Sequence, residues 1–127
     1  MVRSRIVHRV HPDRLPFRRL EGRRSAEPLE GLDVGELSVR FARLAPGPRN
    51  PHRHPSCVEV IHVLEGTGTA WLDGETTAVG PGDLYVVPVG VPHATLPDPG
   101  NEMLLICAFP VADLAANTDE LEGPIEL

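Results

Sequence analysis

Several residue types are scarce in this chain of 127 residues, and their scarcity limits what the protein can be. Lysine is absent: all 12 basic residues are arginine, and 18 acidic residues outnumber them. The formal net charge of -6 argues against a nucleic-acid partner for the domain as a whole. Aromatic residues make up only 4%, so a core must be built mainly from Val, Leu, Ile and Ala.

Cysteine and long apolar segments are scarce as well. The two cysteines, Cys57 and Cys107, lie in predicted strands, where a buried free thiol is the usual state. Such thiols fit a reducing cytoplasm, which is the location we expect. No apolar run approaches the length of a membrane span, so no membrane partner is expected. The N-terminus also lacks the apolar core of a signal peptide.

Charge is divided unevenly along the chain. Residues 1–24 hold eight arginines against Asp13 and Glu21, whereas the remainder is acidic. Such a basic arm could bind nucleic acid or an anionic surface, or it could lie across the acidic body of its own or a partner subunit. The second interpretation is favoured because no aromatic platform accompanies the charge. The use of Arg instead of Lys, with 14 Pro and 12 Gly, resembles the bias of a GC-rich bacterial genome.

Short alternating segments joined by Gly and Pro turns occupy most of the chain. They predict strands over residues 4–10, 36–44, 57–64, 66–73, 76–79, 84–87 and 102–109. The Asp-Gly pair at 73–74 predicts a tight hairpin, since that turn needs positive φ. Many short strands of this kind are typical of an all-β sandwich or barrel.

Three parts follow from this pattern. Residues 1–35 form an N-terminal arm and loop, and within them 21–35 is rich in Gly, Pro and charge and is expected to be loop. Residues 36–110 form the barrel. Residues 111–127 form one short helical turn and an acidic tail that we expect to be mobile.

The alternation of the strand at 36–44 bears on Arg43. Leu37, Val39 and Phe41 take one face, and continuing the pattern turns Arg43 inward. An inward guanidinium could bind a substrate carboxylate. The favoured alternative is that the strand ends at Ala42 and leaves Arg43 in solvent.

The strand at 57–64 is apolar on both faces. Its residues alternate between two sides, with Glu59, Ile61 and Val63 on one and Val58, Val60, His62 and Leu64 on the other. Such a strand needs cover on both faces, and in a small sandwich the second cover is most simply another copy of the chain. We therefore expect a homodimer, with His62 at its interface or on the surface.

The stretch PHRHPSCVEVIHVLEG at residues 51–66 holds residue types that bind metals. His52 and His54 are two apart, so on an extended strand both project from one face. Glu59 follows at an odd spacing, and a turn or bulge near Pro55 is needed to restore its facing. Two imidazoles and a carboxylate suit a divalent transition metal. The alternative is a set of scattered surface histidines beside a solvated Glu.

A second stretch, GDLYVVPVGVPH at residues 82–93, completes a resemblance to the cupin superfamily that extends over about residues 37–110. The first cupin motif is matched by Gly47, His52, His54, Glu59 and Gly66, and the second by Gly82, Pro88, Gly90 and His93. Two features depart from the family pattern: the gap after Gly47 is one residue shorter, and the final Asn of the second motif is Pro97. Neither position is a usual metal ligand.

The resemblance implies a jelly-roll barrel, or double-stranded β-helix. It also implies one divalent transition metal on His52, His54, Glu59 and His93, and Fe, Mn, Ni, Cu and Zn all accept these ligands. Up to two coordination positions stay open, which argues against a closed structural site. The predicted pocket walls are mostly aliphatic and aromatic, which favours a small apolar or aromatic substrate.

Three functions are compatible with such a site. An O₂-dependent oxygenase is favoured, mainly because of what the family resemblance implies. The alternatives are a non-oxidative cyclase, isomerase or lyase of the polyketide-cyclase type, and a small-molecule binding protein without turnover. Tyr85 and Arg43 are secondary catalytic candidates, although a core position is the favoured interpretation for Tyr85.

Overall fold

Eleven β-strands and two short 3-10 helices make up the computed structural model, which describes residues 7–127. The strands are Arg18–Leu20 (β1), Arg23–Ala26 (β2), Ser38–Leu44 (β3), His52–Arg53 (β4), Glu59–Glu65 (β5), Gly68–Leu72 (β6), Glu75–Val79 (β7), Leu84–Val87 (β8), His93–Pro97 (β9), Met103–Phe109 (β10) and Asp119–Glu120 (β11). The 3-10 helices are Pro12–Arg14 and Ala115–Asn117. No helix in this part of the chain has the length and apolarity to cross a membrane, and the cytoplasmic location stays a prediction.

The strands form two antiparallel sheets. One has six strands in the order β1-β2-β3-β10-β5-β8, and the other has five in the order β11-β4-β9-β6-β7. The core lies between them, so the molecule is a jelly-roll sandwich and the all-β prediction is confirmed. Of the strand predicted at 4–10, residues 4–6 lie outside the described part of the chain and 7–10 form no strand.

The core is mainly aliphatic, as the scarcity of aromatic residues requires. Alternation along β5 and β10 turns every second side chain toward the opposite sheet. The buried members include Ile61, Val63, Ala70, Val79, Val87, Met103, Leu105 and Phe109. Burying one such large apolar side chain contributes roughly 1.5–3 kcal/mol to folding. Cys57 and Cys107 are free and buried, as predicted.

The arm contributes two strands, which corrects the loop predicted for residues 21–35. β1 and β2 form a hairpin, and β2 pairs with β3 at the edge of the six-stranded sheet. Sequence alternation missed β2 because its inward residues, Arg23 and Ser25, are polar and line a cavity. The division of the chain after residues 35 and 110 stays a prediction, although the sheet crosses the first boundary.

The prediction of which side of β3 points into the sandwich is also wrong. The inward side of the strand carries Arg40, Ala42 and Leu44. Phe41, on the other side, packs against Leu104 and is covered by apolar residues of the arm. The apolar side of this strand therefore meets the arm, a contact between distant segments that alternation alone cannot reveal.

The C-terminal tail, expected to be mobile, is hydrogen-bonded to the sandwich. β11 pairs with β4. The Leu121 N–H donates to the Pro51 carbonyl at 3.0 Å, and the Ile125 N–H donates to the Arg49 carbonyl at 2.9 Å. These bonds place the tail against the turn that leads into the first histidines.

Gly66, the last residue of the first motif, is required by close backbone packing. Its φ is +81°, a region that side chains other than Gly rarely adopt. A Cβ added here would lie 2.0 Å from the Glu102 carbonyl oxygen. The turn after β5 can therefore approach β10 only with glycine at this position.

Candidate metal centre

Four side chains from the two motifs converge inside the sandwich. His52 in β4 pairs in register with His93, the first residue of β9. His54 directly follows β4, and Glu59 is the first residue of β5. One ligand atom from each residue lies within 4.8 Å of the others, and all four side chains are buried. The structure therefore brings together the full ligand set that the resemblance implies.

A change of sheet explains the odd spacing between His54 and Glu59. The turn at Pro55 and Ser56 carries the chain from β4 in the five-stranded sheet to β5 in the six-stranded sheet. The inner faces of the two sheets oppose each other, so Glu59 meets the histidines from across the core. The turn therefore directs Glu59 toward the two histidines, as the sequence analysis expected.

Backbone carbonyls fix the tautomers of two histidines. His54 Nδ1 donates to the Asn117 carbonyl at 3.0 Å, and His93 Nδ1 donates to the Val91 carbonyl at 2.9 Å. A carbonyl oxygen only accepts hydrogen bonds, so in the neutral rings Nε2 carries the lone pair. These two Nε2 atoms lie 3.1 and 2.7 Å from the same oxygen, Glu59 Oε1.

This arrangement fits a cation held among the four residues. Neutral imidazoles in this tautomer aim lone pairs at a carboxylate oxygen, and only a shared proton or a metal ion makes such contacts favourable. His52 Nδ1 is buried and has no hydrogen-bond partner within residues 7–127. Three imidazole nitrogens and a carboxylate oxygen match the preferences of Fe, Mn, Ni, Cu and Zn.

The ionisation states also suit metal binding. Burial, together with the charges of His93 and Arg49, holds the pKa of His52 well below its ordinary value, so this imidazole is neutral. Burial alone would raise the pKa of Glu59, but its contacts with His54 and His93, made through a shared proton when no metal is bound, outweigh burial and hold that pKa far below its ordinary value. A neutral imidazole and an ionised carboxylate are the forms that bind metals.

An apolar cavity of about 370 Å³ lies beside the cluster, and the four residues form part of its wall. Pockets for small molecules usually measure roughly 300–1,000 Å³. The apolar part of the wall consists of Leu20, Ala42, Leu44, Ile61, Leu105, Phe109, Leu114 and Ala115. A small aliphatic or aromatic molecule therefore fits next to the cluster.

Arg49 is a cavity residue that the sequence analysis missed. It lies in the turn before β4 and is only 7% exposed. Its Nη1 donates to the Thr95 carbonyl at 2.7 Å. Burial and the charge of Arg23 lower the pKa of Arg49 to about 10, which leaves it charged at neutral pH. The only sequence feature that could have drawn attention to Arg49 is its position in a Pro-rich turn just before His52. A charged side chain in such a turn is usually solvated, so this position did not predict burial.

The two secondary catalytic candidates lie outside the cavity wall. Tyr85 packs against the core, and its hydroxyl hydrogen-bonds to Thr95 Oγ1. Burial raises the pKa of Tyr85 despite this bond. Strand β3 continues past Arg43, but the side chain of Arg43 does not turn inward. The guanidinium of Arg43 lies 4.8 Å from the ring centroid of Phe17, and its Nη2 donates to Asp13 Oδ1 at 3.0 Å.

Known proteins share this architecture. The germin-like protein 4-1 of Oryza sativa subsp. japonica is 38% identical over an 81-residue alignment, with a coverage of 54% of this chain and 31% of that protein. The chain thus spans about a third of the length of that relative. The polyketide cyclase RemF from Streptomyces resistomycificus superposes with a TM-score of 0.69 at 26% identity, covering 83% of this chain and 80% of RemF.

A second solved structure matches only in part. Salicylate 1,2-dioxygenase from Pseudoaminobacter salicylatoxidans gives a TM-score of 0.68 at 27% identity, covering 85% of this chain but 31% of the dioxygenase. A family model described as the cupin domain matches residues 40–109. That match includes all four clustered residues and more than half of the chain, and the protein therefore belongs to the cupin family.

Proposed function

We propose that this protein is a metal-dependent enzyme that acts on a small, largely apolar or aromatic molecule. The observation that carries the proposal is the position of the cluster: His52, His54, Glu59 and His93 are buried, yet they form part of the wall of an apolar cavity. Structural zinc sites are usually closed and rich in Cys, and this donor set is neither. A ligand in the cavity can therefore reach the ion.

The residues of the chain would position the substrate and the metal-binding imidazoles and exclude water from the cavity. When bound, the ion would supply Lewis acidity toward an enol or carbonyl oxygen, or electron transfer if it is redox-active. Leu44, Leu105 and Phe109 offer an apolar surface to the body of the substrate and displace water from it. The carbonyls of Val91 and Asn117 hold two imidazoles in one tautomer and orientation.

Of the two reaction types, we favour the non-oxidative one: cyclisation, isomerisation or elimination. The support is the similarity to the polyketide cyclase RemF, which covers 83% of this chain and 80% of RemF. O₂-dependent oxidation is the second candidate. It is supported by the similarity to salicylate 1,2-dioxygenase, of which the chain covers only 31%.

Replacing His54 and His93 together with alanine should abolish metal binding, because two of the four ligands are lost. Elemental analysis of protein purified without chelators should find a single equivalent of metal in the wild type and none in the double variant. His62→Ala is the matched control, since His62 lies on the face of β5 opposite Glu59, and it should keep its metal. Full metal content in a folded double variant would refute the assignment.

Turnover without oxygen should separate the reaction types. Zinc-loaded and iron-loaded protein are incubated under argon and under air with a panel of phenols, enols and keto acids, and products are identified by mass spectrometry. We expect isomerised, cyclised or dehydrated product from the zinc form under argon, since zinc has no redox chemistry. Product formed only with iron and O₂ would instead establish the oxygenase. Tight binding without turnover in any form would establish a binding protein.

We also propose a homodimer formed through the outer face of the six-stranded sheet. Leu84 and Val86 in the edge strand β8 are 62% and 50% exposed. Val58 and Val60, on the same outer face, are half-buried. A second copy of the chain would cover these apolar side chains and the free strand edge together.

Light scattering at micromolar protein concentration should therefore give the mass of a dimer. Leu84→Asp combined with Val86→Asp should give a monomer, because charged side chains would be buried without partners. Thr77→Asp, on an exposed strand of the other sheet, is the control and should stay dimeric. A monomeric wild type would exclude this interface.

A further inference from the structure

Arg49 places a buried positive charge in the cavity wall, and no carboxylate of residues 7–127 forms an ion pair with it. The single hydrogen bond of its side chain within residues 7–127 runs from Nη1 to the Thr95 carbonyl. Its Nε is buried and lacks a partner there. Removing a charge from water without pairing it destabilises the folded protein, so stability does not account for an arginine here.

The other arginines of the cavity differ from Arg49. Arg23 Nη1 lies 3.4 Å from Glu120 Oε1, and Arg40 Nη1 lies 2.6 Å from Glu27 Oε1. Arg18 makes no ion pair with the described residues, but it is exposed and therefore hydrated. Arg49 alone among these four arginines is buried and unpaired, and Arg18 adds a second unpaired positive charge to the same cavity.

The metal ion of the proposed function would add positive charge to the buried part of this wall. Imidazoles that bind a metal are neutral and contribute no charge, so the single negative charge of Glu59 would be set against a divalent ion and the Arg49 cation. Of the other carboxylates in the wall, Glu21 is exposed and Glu120 is paired with Arg23. An anion bound in the cavity would therefore lower the electrostatic energy of the loaded site.

We propose that Arg49 forms an anion subsite beside the metal centre and that the substrate is a small apolar or aromatic carboxylate. The inference rests on the proposed function and names the substrate class of that site. Apart from its bond to Thr95, the guanidinium has N–H groups without protein partners in the described chain, and paired guanidinium N–H groups match a planar carboxylate. The apolar side chains Leu44, Leu105 and Phe109 line the same cavity and suit the hydrocarbon body of such an acid.

Binding of matched probes to the zinc-loaded protein tests the subsite. Isothermal titration calorimetry compares benzoate with benzamide, which has a similar shape and no charge. We expect the wild type to bind benzoate roughly tenfold or more tightly than benzamide. Arg49→Met should remove that preference and leave benzamide affinity and zinc content unchanged. Arg24→Met removes the same charge from an exposed position outside the cavity and should behave as the wild type.

The same samples separate the subsite from the metal centre. Zinc present in the wild type, with equal affinity for benzoate and benzamide, would overturn the subsite alone. A wild type without zinc would refute the metal centre, and the two probes would then test Arg49 in the metal-free protein. Unchanged benzoate preference in a folded Arg49→Met variant, or tighter binding of phenyl phosphate than of benzoate, would also overturn the proposal. If Arg49→Met fails to fold, the metal-free wild type decides, because benzoate cannot bind zinc there: equal affinity for benzoate and benzamide would overturn the subsite.

Discussion

The contact of one carboxylate with the histidines around it is the interaction on which the rest of this structure depends. Glu59 is only 4% exposed, and its Oε1 lies within hydrogen-bond distance of Nε2 of both His54 and His93. A buried carboxylate is tolerated only when charge or hydrogen bonds compensate for lost water. Here the compensation comes from the opposite sheet. The two sheets must therefore close in register before the site exists.

Segments at both ends of the chain complete this site. The Asn117 carbonyl and the Thr118 hydroxyl lie 3.0 and 3.2 Å from His54 Nδ1, so the C-terminal segment orients a ligand of the proposed metal. At the other end, the β1–β2 turn packs on Arg49: a Cβ added to Gly22 would lie 2.8 Å from Arg49 Cγ. Both segments look peripheral in sequence, yet each one positions a charged or metal-binding group.

The parts of the molecule that sequence could predict are those with local signals. Alternation located most strands of the sandwich, and the paired motifs identified the family and the four residues that converge. Glu59 was foreseen despite its odd spacing because a turn was expected near Pro55. The direction in which Glu59 points depends on the passage of the chain from one sheet to the other between β4 and β5, which is a property of the whole fold.

The misses share one physical cause, which is contact between segments far apart in the chain. β2 escaped notice because Arg23 and Ser25 face a cavity instead of an apolar core. The inward face of β3 was predicted wrongly because the arm covers the apolar side of this strand. Arg49 had only its position before His52 as a signal, and its burial follows from packing against the arm and the tail.

The most direct test of a metal centre at this cluster is an anomalous difference map from crystals of the zinc-loaded protein, recorded at the zinc absorption edge. The predicted result is one peak about 2.0–2.2 Å from a nitrogen of each of His52, His54 and His93 and from an oxygen of Glu59. A map without a peak among these four side chains, or with zinc held by other residues, would contradict the assignment.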